Sequence, residues 1–133
     1  SSTLRVIGVD AIYASADISI VVHPDNNLFT KYDGILYTSD FRTMIHHPAD
    51  ISGNVILPEG LEAIPNGAFY ESNITSIKLP NSLKYLGADA FSGCKSLKEV
   101  VIPDLVEDIF YNFDNFLFLY YLISCRKMMV KLH

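Results

Sequence analysis

The stretch at residues 55–69, VILPEGLEAIPNGAF, returns at residues 77–91 as IKLPNSLKYLGADAF and, shortened, at residues 100–109 as VVIPDLVEDI. The Leu-Pro pair of the first copy lies 22 positions before that of the second, and the Ile-Pro pair of the third copy follows 23 positions later. A period in the low twenties is typical of proteins built from stacked repeats. The period therefore predicts a repeat architecture for this chain.

Each copy begins with a short apolar run that ends at a proline. In the second copy, Ile77 and Leu79 alternate with polar residues before Pro80. Alternation predicts a strand, and proline ends the strand because it has no N–H to donate to a neighbouring strand. A single copy cannot bury its own apolar residues. We therefore expect the copies to stack, with neighbouring strands about 4.8 Å apart.

The pattern L-x-x-I-x-L-P-x-x-L-x-x-I-x-x-x-A-F, which residues 74–91 carry, resembles the BspA-type leucine-rich repeat of bacterial and protozoan surface proteins. The resemblance implies an α/β-type repeat solenoid: a right-handed leucine-rich repeat with a parallel β-sheet on the concave side and irregular return segments. It also implies adhesion or other protein contact rather than catalysis, and a cell-surface or secreted location.

The N-terminal segment reads as a partial repeat, because residues 7–24 align without a gap with residues 86–103. In this alignment Val21 takes the inward position of Val100, and His23 that of Ile102. At such a position we favour a hydrogen-bonded core or edge histidine over a metal ligand, since no second ligand is suitably spaced.

Residues 25–50 exceed one period and predict an inserted β-hairpin. Two apolar runs, at 34–37 and 43–46, flank a turn rich in Asp and Ser. The segment also resembles the F-x-x-x-D-G-x-L-Y module that interrupts repeats in the same family. We expect one domain over residues 1–133, made of a partial repeat (4–24), the hairpin insertion (25–50), repeats (51–109) and a degenerate repeat or C-terminal cap (110–133).

Two kinds of side chain in the sequence, histidine and cysteine, could bind a metal ion. His46 and His47 are adjacent, so on a strand they would point to opposite faces and form a poor chelate; stacking or exposure is favoured. Cys94 and Cys125 permit one disulfide without implying it, and a buried thiol is the favoured interpretation of Cys94.

The C-terminal segment is dense in aromatic residues and loses the repeat pattern. Its run FLFLYYLI begins at Phe116 and ends at Ile123. Three interpretations remain open: a degenerate last repeat ending in a strand from Leu119 to Ile123, a cap over the apolar core, or an exposed edge that forms a homodimer.

The charge and the motifs of the sequence limit the classes of function that this chain can have. The net charge is −5 and basic residues are scattered, which argues against nucleic-acid binding. The longest apolar run is far shorter than the ~18–20 residues of a membrane span. The chain has no initiator Met or signal peptide, and Ser1 is interpreted as a trimmed or mature end. Nucleotide-binding, zinc-protease and nucleophile-elbow motifs do not occur, so we expect no enzyme, no metal and no cofactor.

The sequence therefore predicts a binding module for a protein partner, for example a host surface or matrix protein. A structural spacer or self-association segment of a larger surface protein is the alternative. The binding residues are expected where strand side chains point away from the core. They are Ile20, Val22, Asn54, Ile56, Ser76, Lys78, Glu99 and Val101.

One modification motif is also present: Asn73, Ile74 and Thr75 form an N-glycosylation sequon. Chance occurrence of this three-residue pattern is the competing interpretation.

Overall fold

The computed structural model describes residues 3–5, 20–48 and 50–107, together with the backbone of a strand at 129–132. These residues form nine strands and no helix: β1 (Phe29–Tyr32), β2 (Ile35–Thr38), β3 (Met44–His46), β4 (Ser52–Ile56), β5 (Ala63–Ile64), β6 (Asn73–Lys78), β7 (Tyr85–Leu86), β8 (Glu99–Ile102) and β9 (Met129–Leu132).

The return segments between strands consist of turns, so the helical part of the predicted α/β-type class does not occur in the described residues. Proline and glycine explain this in the first repeat, where Pro58, Gly60, Pro65 and Gly67 lie within ten positions of one another. Gly60 and Gly67 have positive φ angles of 94° and 61°. A helix needs negative φ angles and a continuous series of N–H donors, so this segment cannot form one.

Neighbouring repeats pair through two sets of parallel strands. β4 pairs with β6, placing Ile56 opposite Lys78. β5 pairs with β7, placing Ile64 opposite Leu86. The residues of β5 and those from Asn54 to Ile56 pair with residues 22 positions later, whereas Ser52 and Gly53 pair 21 positions later. Apart from this one shift, the sequence period is also the register of strand pairing. The predicted parallel pairing is present in the structure.

The last described strand belongs to a separate two-stranded parallel sheet and pairs at a longer interval. β9 pairs in parallel with β8, and Glu99 lies opposite Met129, 30 positions later. The predicted last strand from Leu119 to Ile123 lies outside the described residues, as do Cys125 and most of the segment 110–133.

A three-stranded antiparallel sheet precedes the repeats, in the order β1-β2-β3. Asp33 and Gly34 form the two-residue turn between β1 and β2, with φ angles of 48° and 79°. Two positive φ angles are what a type I′ hairpin turn requires, and Asp-Gly accommodates them well. The pairing of β2 with β3 lies where the sequence predicts a hairpin, and β1 adds a strand to it.

The C-terminal part of this antiparallel sheet is hydrogen-bonded to the first repeat. The carbonyl oxygen of Arg42 accepts from the N–H groups of Glu62 (2.8 Å) and Ala63 (3.1 Å). The Glu62 carbonyl oxygen accepts in the same way from Lys84 and Tyr85, each at 2.9 Å. Hydrogen bonds therefore cross the boundary predicted at residue 50, and residues from Arg42 onward act as a further level of the stack.

One hydrophobic core joins the antiparallel sheet to the repeats. Phe69 and Phe91 are almost fully buried, and their rings stack with centroids 5.8 Å apart. His47 lies 22 positions before Phe69 and continues this stack. Its ring stacks on that of Phe69, with centroids 5.4 Å apart. Tyr37 and Met44 contribute buried side chains from β2 and β3.

The predicted register of the N-terminal partial repeat is wrong in the described part. Val21, expected to point inward, is 82% exposed, and His23 is also exposed. The buried Asn26 turns the chain here: its side-chain oxygen accepts from the N–H of Leu28 (3.0 Å) and its amide donates to the Leu4 carbonyl (2.9 Å). This turn directs the chain into β1, and residues 20–24 form no strand.

Gly87 lies where two repeats approach each other closely. A Cβ atom at this position would lie 2.3 Å from the backbone N of Asn66 and 2.3 Å from the carbonyl C of Pro65. We therefore expect Gly87→Ala to lower the free energy of unfolding by about 1–3 kcal/mol, as overpacking does in other proteins. Urea denaturation measures this change.

Lys95→Ala is the matched control, because Lys95 is exposed. Its effect should stay within about 0.5 kcal/mol. Equal stability of Gly87→Ala and the control would contradict the close packing of repeats at this glycine.

Candidate functional site

Strands β4, β6 and β8 present alternate side chains to solvent. Val55, Ile77 and Val100 are buried in the core, so their neighbours along each strand point outward. We define the sheet face as the outward residues of these strands that the sequence predicted: Asn54, Ile56, Ser76, Lys78, Glu99 and Val101. β4 and β6 form one two-stranded sheet, whereas β8 pairs with β9 in another. The first four are exposed, whereas Glu99 and Val101 are half-buried.

The sheet face has a polar row and a mixed row. In the polar row the Ser76 hydroxyl donates to the side-chain oxygen of Asn54 at 2.6 Å. In the mixed row Ile56, which is 60% exposed, lies opposite Lys78. A large aliphatic side chain beside a lysine can contact an apolar surface while the ammonium group binds an acceptor or carboxylate.

A β-bulge changes the alternation in β6. Gly53 lies opposite Ile74 and Asn54 opposite Ser76, which leaves Thr75 as the extra residue. Thr75 and Ser76 are consequently both exposed, between the buried Ile74 and Ile77. The bulge increases the polar part of the exposed surface.

Two predicted members of the site, Ile20 and Val22, are not brought to the sheet face. Both lie in the segment without strand structure and are half-buried. The Ile20 carbonyl oxygen accepts instead from the ammonium group of Lys31 in β1, at 3.1 Å. Among the described strands, β4 pairs only with β6.

The structure adds two positions that sequence reasoning missed. β9 places Met129 opposite Glu99 and Lys131 opposite Val101 by register. The 22-to-23-residue period could not predict these positions, because the interval to β9 is 30 residues. The only feature of the sequence that could have indicated this strand was a short aliphatic run near the C-terminus.

His46 and His47 form part of the aromatic stack rather than pointing apart. Their rings stack with centroids 5.7 Å apart and an interplanar angle of 7°. Strand alternation does not apply to this pair because β3 ends at His46. The Nδ1 of His47 lies 2.6 Å from the Pro48 carbonyl oxygen. A carbonyl only accepts, so this nitrogen carries the proton.

Burial disfavours the charged form of both histidines. Desolvation lowers the pKa of His46, and repulsion from His47 lowers it further. Desolvation also lowers the pKa of His47, although its hydrogen bond to the Pro48 carbonyl opposes the shift. The Nε2 atom of His46 is buried and has no hydrogen-bond partner among the described residues. The pair thus belongs to the core stack in its neutral form.

Other reactive side chains do not gather into a centre within the described residues. No group of three or more His, Cys, Asp or Glu residues there could hold a metal ion. Cys94 is buried, and its thiol donates to the Phe69 carbonyl oxygen at 2.9 Å. This hydrogen bond joins neighbouring repeats. No helix in the described ranges has the length and apolar character to cross a bilayer.

Comparison with known proteins gives a family match. The family model described as "BspA type Leucine rich repeat region (6 copies)" matches residues 50–126, more than half of the chain. A leucine-rich repeat protein from Eubacterium ventriosum, with a crystal structure at 2.50 Å resolution, aligns with 62% of this chain at 15% sequence identity and a TM-score of 0.49. The aligned part covers 31% of that protein's chain. No match was found among curated proteins.

Because both histidines are partly buried, we expect the stability of the folded protein to fall mildly in acid. A histidine has a pKa near 6.5 when unperturbed, and both folded-state pKa values are lower. Below pH 6.5 the unfolded chain therefore binds protons first. The stabilising contribution is present above pH 6.5 and is lost as pH falls through the lower folded-state pKa values. Thermal unfolding between about pH 7.5 and about pH 5 measures the loss.

The matched variant is His47→Phe, which places phenylalanine at three successive levels of the stack. It removes one titrating ring, so its melting temperature should fall less over the same pH range. An identical decrease in both proteins would show that His47 does not contribute to the acid sensitivity.

Proposed function

Because the chain belongs to the BspA-type leucine-rich repeat family, we propose that it is a protein-interaction module that binds its partner through the sheet face. The family resemblance predicted from the sequence is confirmed by the family match over residues 50–126. The family supports a repeat module for protein contact. Adhesion, a cell-surface or secreted location and a host surface or matrix protein as partner are further parts of this proposal.

The observation that carries the proposal is the exposure of Ile56. This side chain is 60% exposed on a sheet whose other face is covered by the core. Burying a side chain of this size at an interface contributes about 1.5–3 kcal/mol, and aliphatic residues surrounded by polar ones are common at protein interfaces. Lys78 opposite it supplies a positive charge that favours an acidic group on the partner.

We also propose how the repeats are arranged around this face. The units stack as a right-handed solenoid with the β4–β6 sheet on its concave side. Residues 51–109 form its repeats, and residues 110–133 form a degenerate repeat or cap. Parallel pairing at an interval of 22 residues supports stacking. The hydrogen bonds from Arg42 to the first repeat support an additional level within the predicted insertion 25–50.

A structural spacer is the second candidate function. The hydrogen bond between Ser76 and Asn54 favours it, because these two exposed side chains already satisfy part of each other's hydrogen-bonding capacity. In this case the sheet face has no partner, and self-association occurs elsewhere, for example through the run from Phe116 to Ile123, which lies outside the described residues.

Ile56→Asp tests the binding face. A buried carboxylate without a partner is costly at an interface, so we expect partner affinity to fall more than tenfold, about 1.4 kcal/mol or more. The exposed position of Ile56 should leave the melting temperature nearly unchanged. The measurement is surface-captured binding of serum and matrix proteins, followed by titration of each protein that is retained.

Tyr85→Asp is the matched control, because Tyr85 is a large exposed residue on the other parallel sheet, in β7. It should leave binding intact. Loss of binding in Tyr85→Asp with normal binding in Ile56→Asp would place the site on the β5–β7 side. Retention of no protein at all would favour the spacer.

A further inference from the structure

Asn73 combines a modification motif with an open position on the folded chain. Asn73, Ile74 and Thr75 form the only Asn-x-Ser/Thr sequon in the 133 residues. In β6, Asn73 and Thr75 are exposed, whereas Ile74 is fully buried. The two polar residues that a glycosyltransferase recognises are therefore on the surface, while the residue between them anchors the strand.

The surroundings of Asn73 leave space for a saccharide. Its register partner in β4 is Ser52, which is small and exposed. The equivalent position of the next repeat, 23 residues later, is Ser96, which is also exposed. No hydrogen bond within the described residues engages the Asn73 side chain. A glycan on the carboxamide nitrogen would thus displace no side-chain hydrogen bond among the described residues.

We propose that Asn73 is an acceptor for an N-linked glycan. A lipid-diphosphate oligosaccharide is the donor: the Asn73 Nδ2 atom forms a bond to C1 of the first sugar and loses a proton, and the C1–O bond to the diphosphate breaks. The lipid diphosphate leaves with the electron pair of that bond. The transferase and the donor belong to the eukaryotic secretory pathway, so glycosylation in the native cell rests on a eukaryotic source and on the secreted or surface location proposed above.

The position of the glycan would also restrict the binding site. Asn73 begins β6 and Lys78 ends it, so the two lie roughly 16 Å apart at the usual rise per residue of a strand. A glycan at Asn73 would cover the beginning of β4 and β6. Ile56 and Lys78, at the other end of these strands, would remain accessible to a protein partner.

Expression of the full chain behind the leader of a eukaryotic secretory host tests the proposal directly. Intact-mass measurement should show one core glycan, and enzymatic release by peptide-N-glycosidase should leave Asp at position 73. Asn73→Gln and Thr75→Ala should both lack the added mass, whereas Thr75→Ser should keep it because it preserves the sequon.

An unmodified wild-type chain, whether secreted or recovered from the endoplasmic reticulum, would overturn the proposal. Added mass that persists in Asn73→Gln would overturn it as well. These masses are read without any binding partner, so failure here is distinct from failure of the proposed protein-binding function.

Discussion

Backbone hydrogen bonds between equivalent residues of neighbouring repeats are the interaction on which this structure depends. The N–H groups of Gly67, Phe69 and Glu71 donate to the carbonyl oxygens of Ala88, Ala90 and Ser92 at 2.7 to 2.8 Å. These bonds join alternate residues, as in a parallel ladder, although the segments lie outside the named strands. They favour a constant spacing, because an inserted residue shifts donors away from acceptors and reverses the side chains unless a bulge accommodates it, as in β6.

Side-chain hydrogen bonds also join neighbouring repeats and reinforce the stacking. Asn66 accepts from the N–H of Ala88 at 2.9 Å, and Ser82 accepts from the N–H of Gly60 at 3.0 Å, both across 22 positions. Asn66 therefore satisfies a backbone donor that the turn itself leaves unpaired. The stack of His47, Phe69 and Phe91 fills the interior at the same spacing. The hydrogen bonding of polar groups and the packing of the core thus depend on the same register between neighbouring repeats.

This dependence explains where functional residues can occur. Side chains that point inward pack against both neighbouring repeats, so changing one of them disturbs two neighbours at once. Outward positions such as Ile56, Lys78 and Asn73 have no such constraint. The fold therefore leaves the outward surface of each strand free to differ between repeats, and chemistry specific to this chain is concentrated there.

The sequence by itself determined the period of the repeats, the parallel strands that precede a proline and the inward positions of the repeats between residues 51 and 103. These features are local or recur at a constant interval, so one chain carries the information several times. The residues expected to bind a partner stay a prediction, although six of the eight lie on β4, β6 and β8. Tertiary structure decided the rest: the exposure of Val21, the stacking of His46 and His47, the hydrogen bonds from Arg42 to the first repeat and the position of β9. β9 departs from the period of the repeats, whereas His47 keeps the 22-residue interval to Phe69 in a segment where the sequence pattern shows no copy. At such positions, the neighbouring repeat decides which backbone groups form hydrogen bonds and which rings stack. A pattern of residues along the chain does not encode these tertiary contacts.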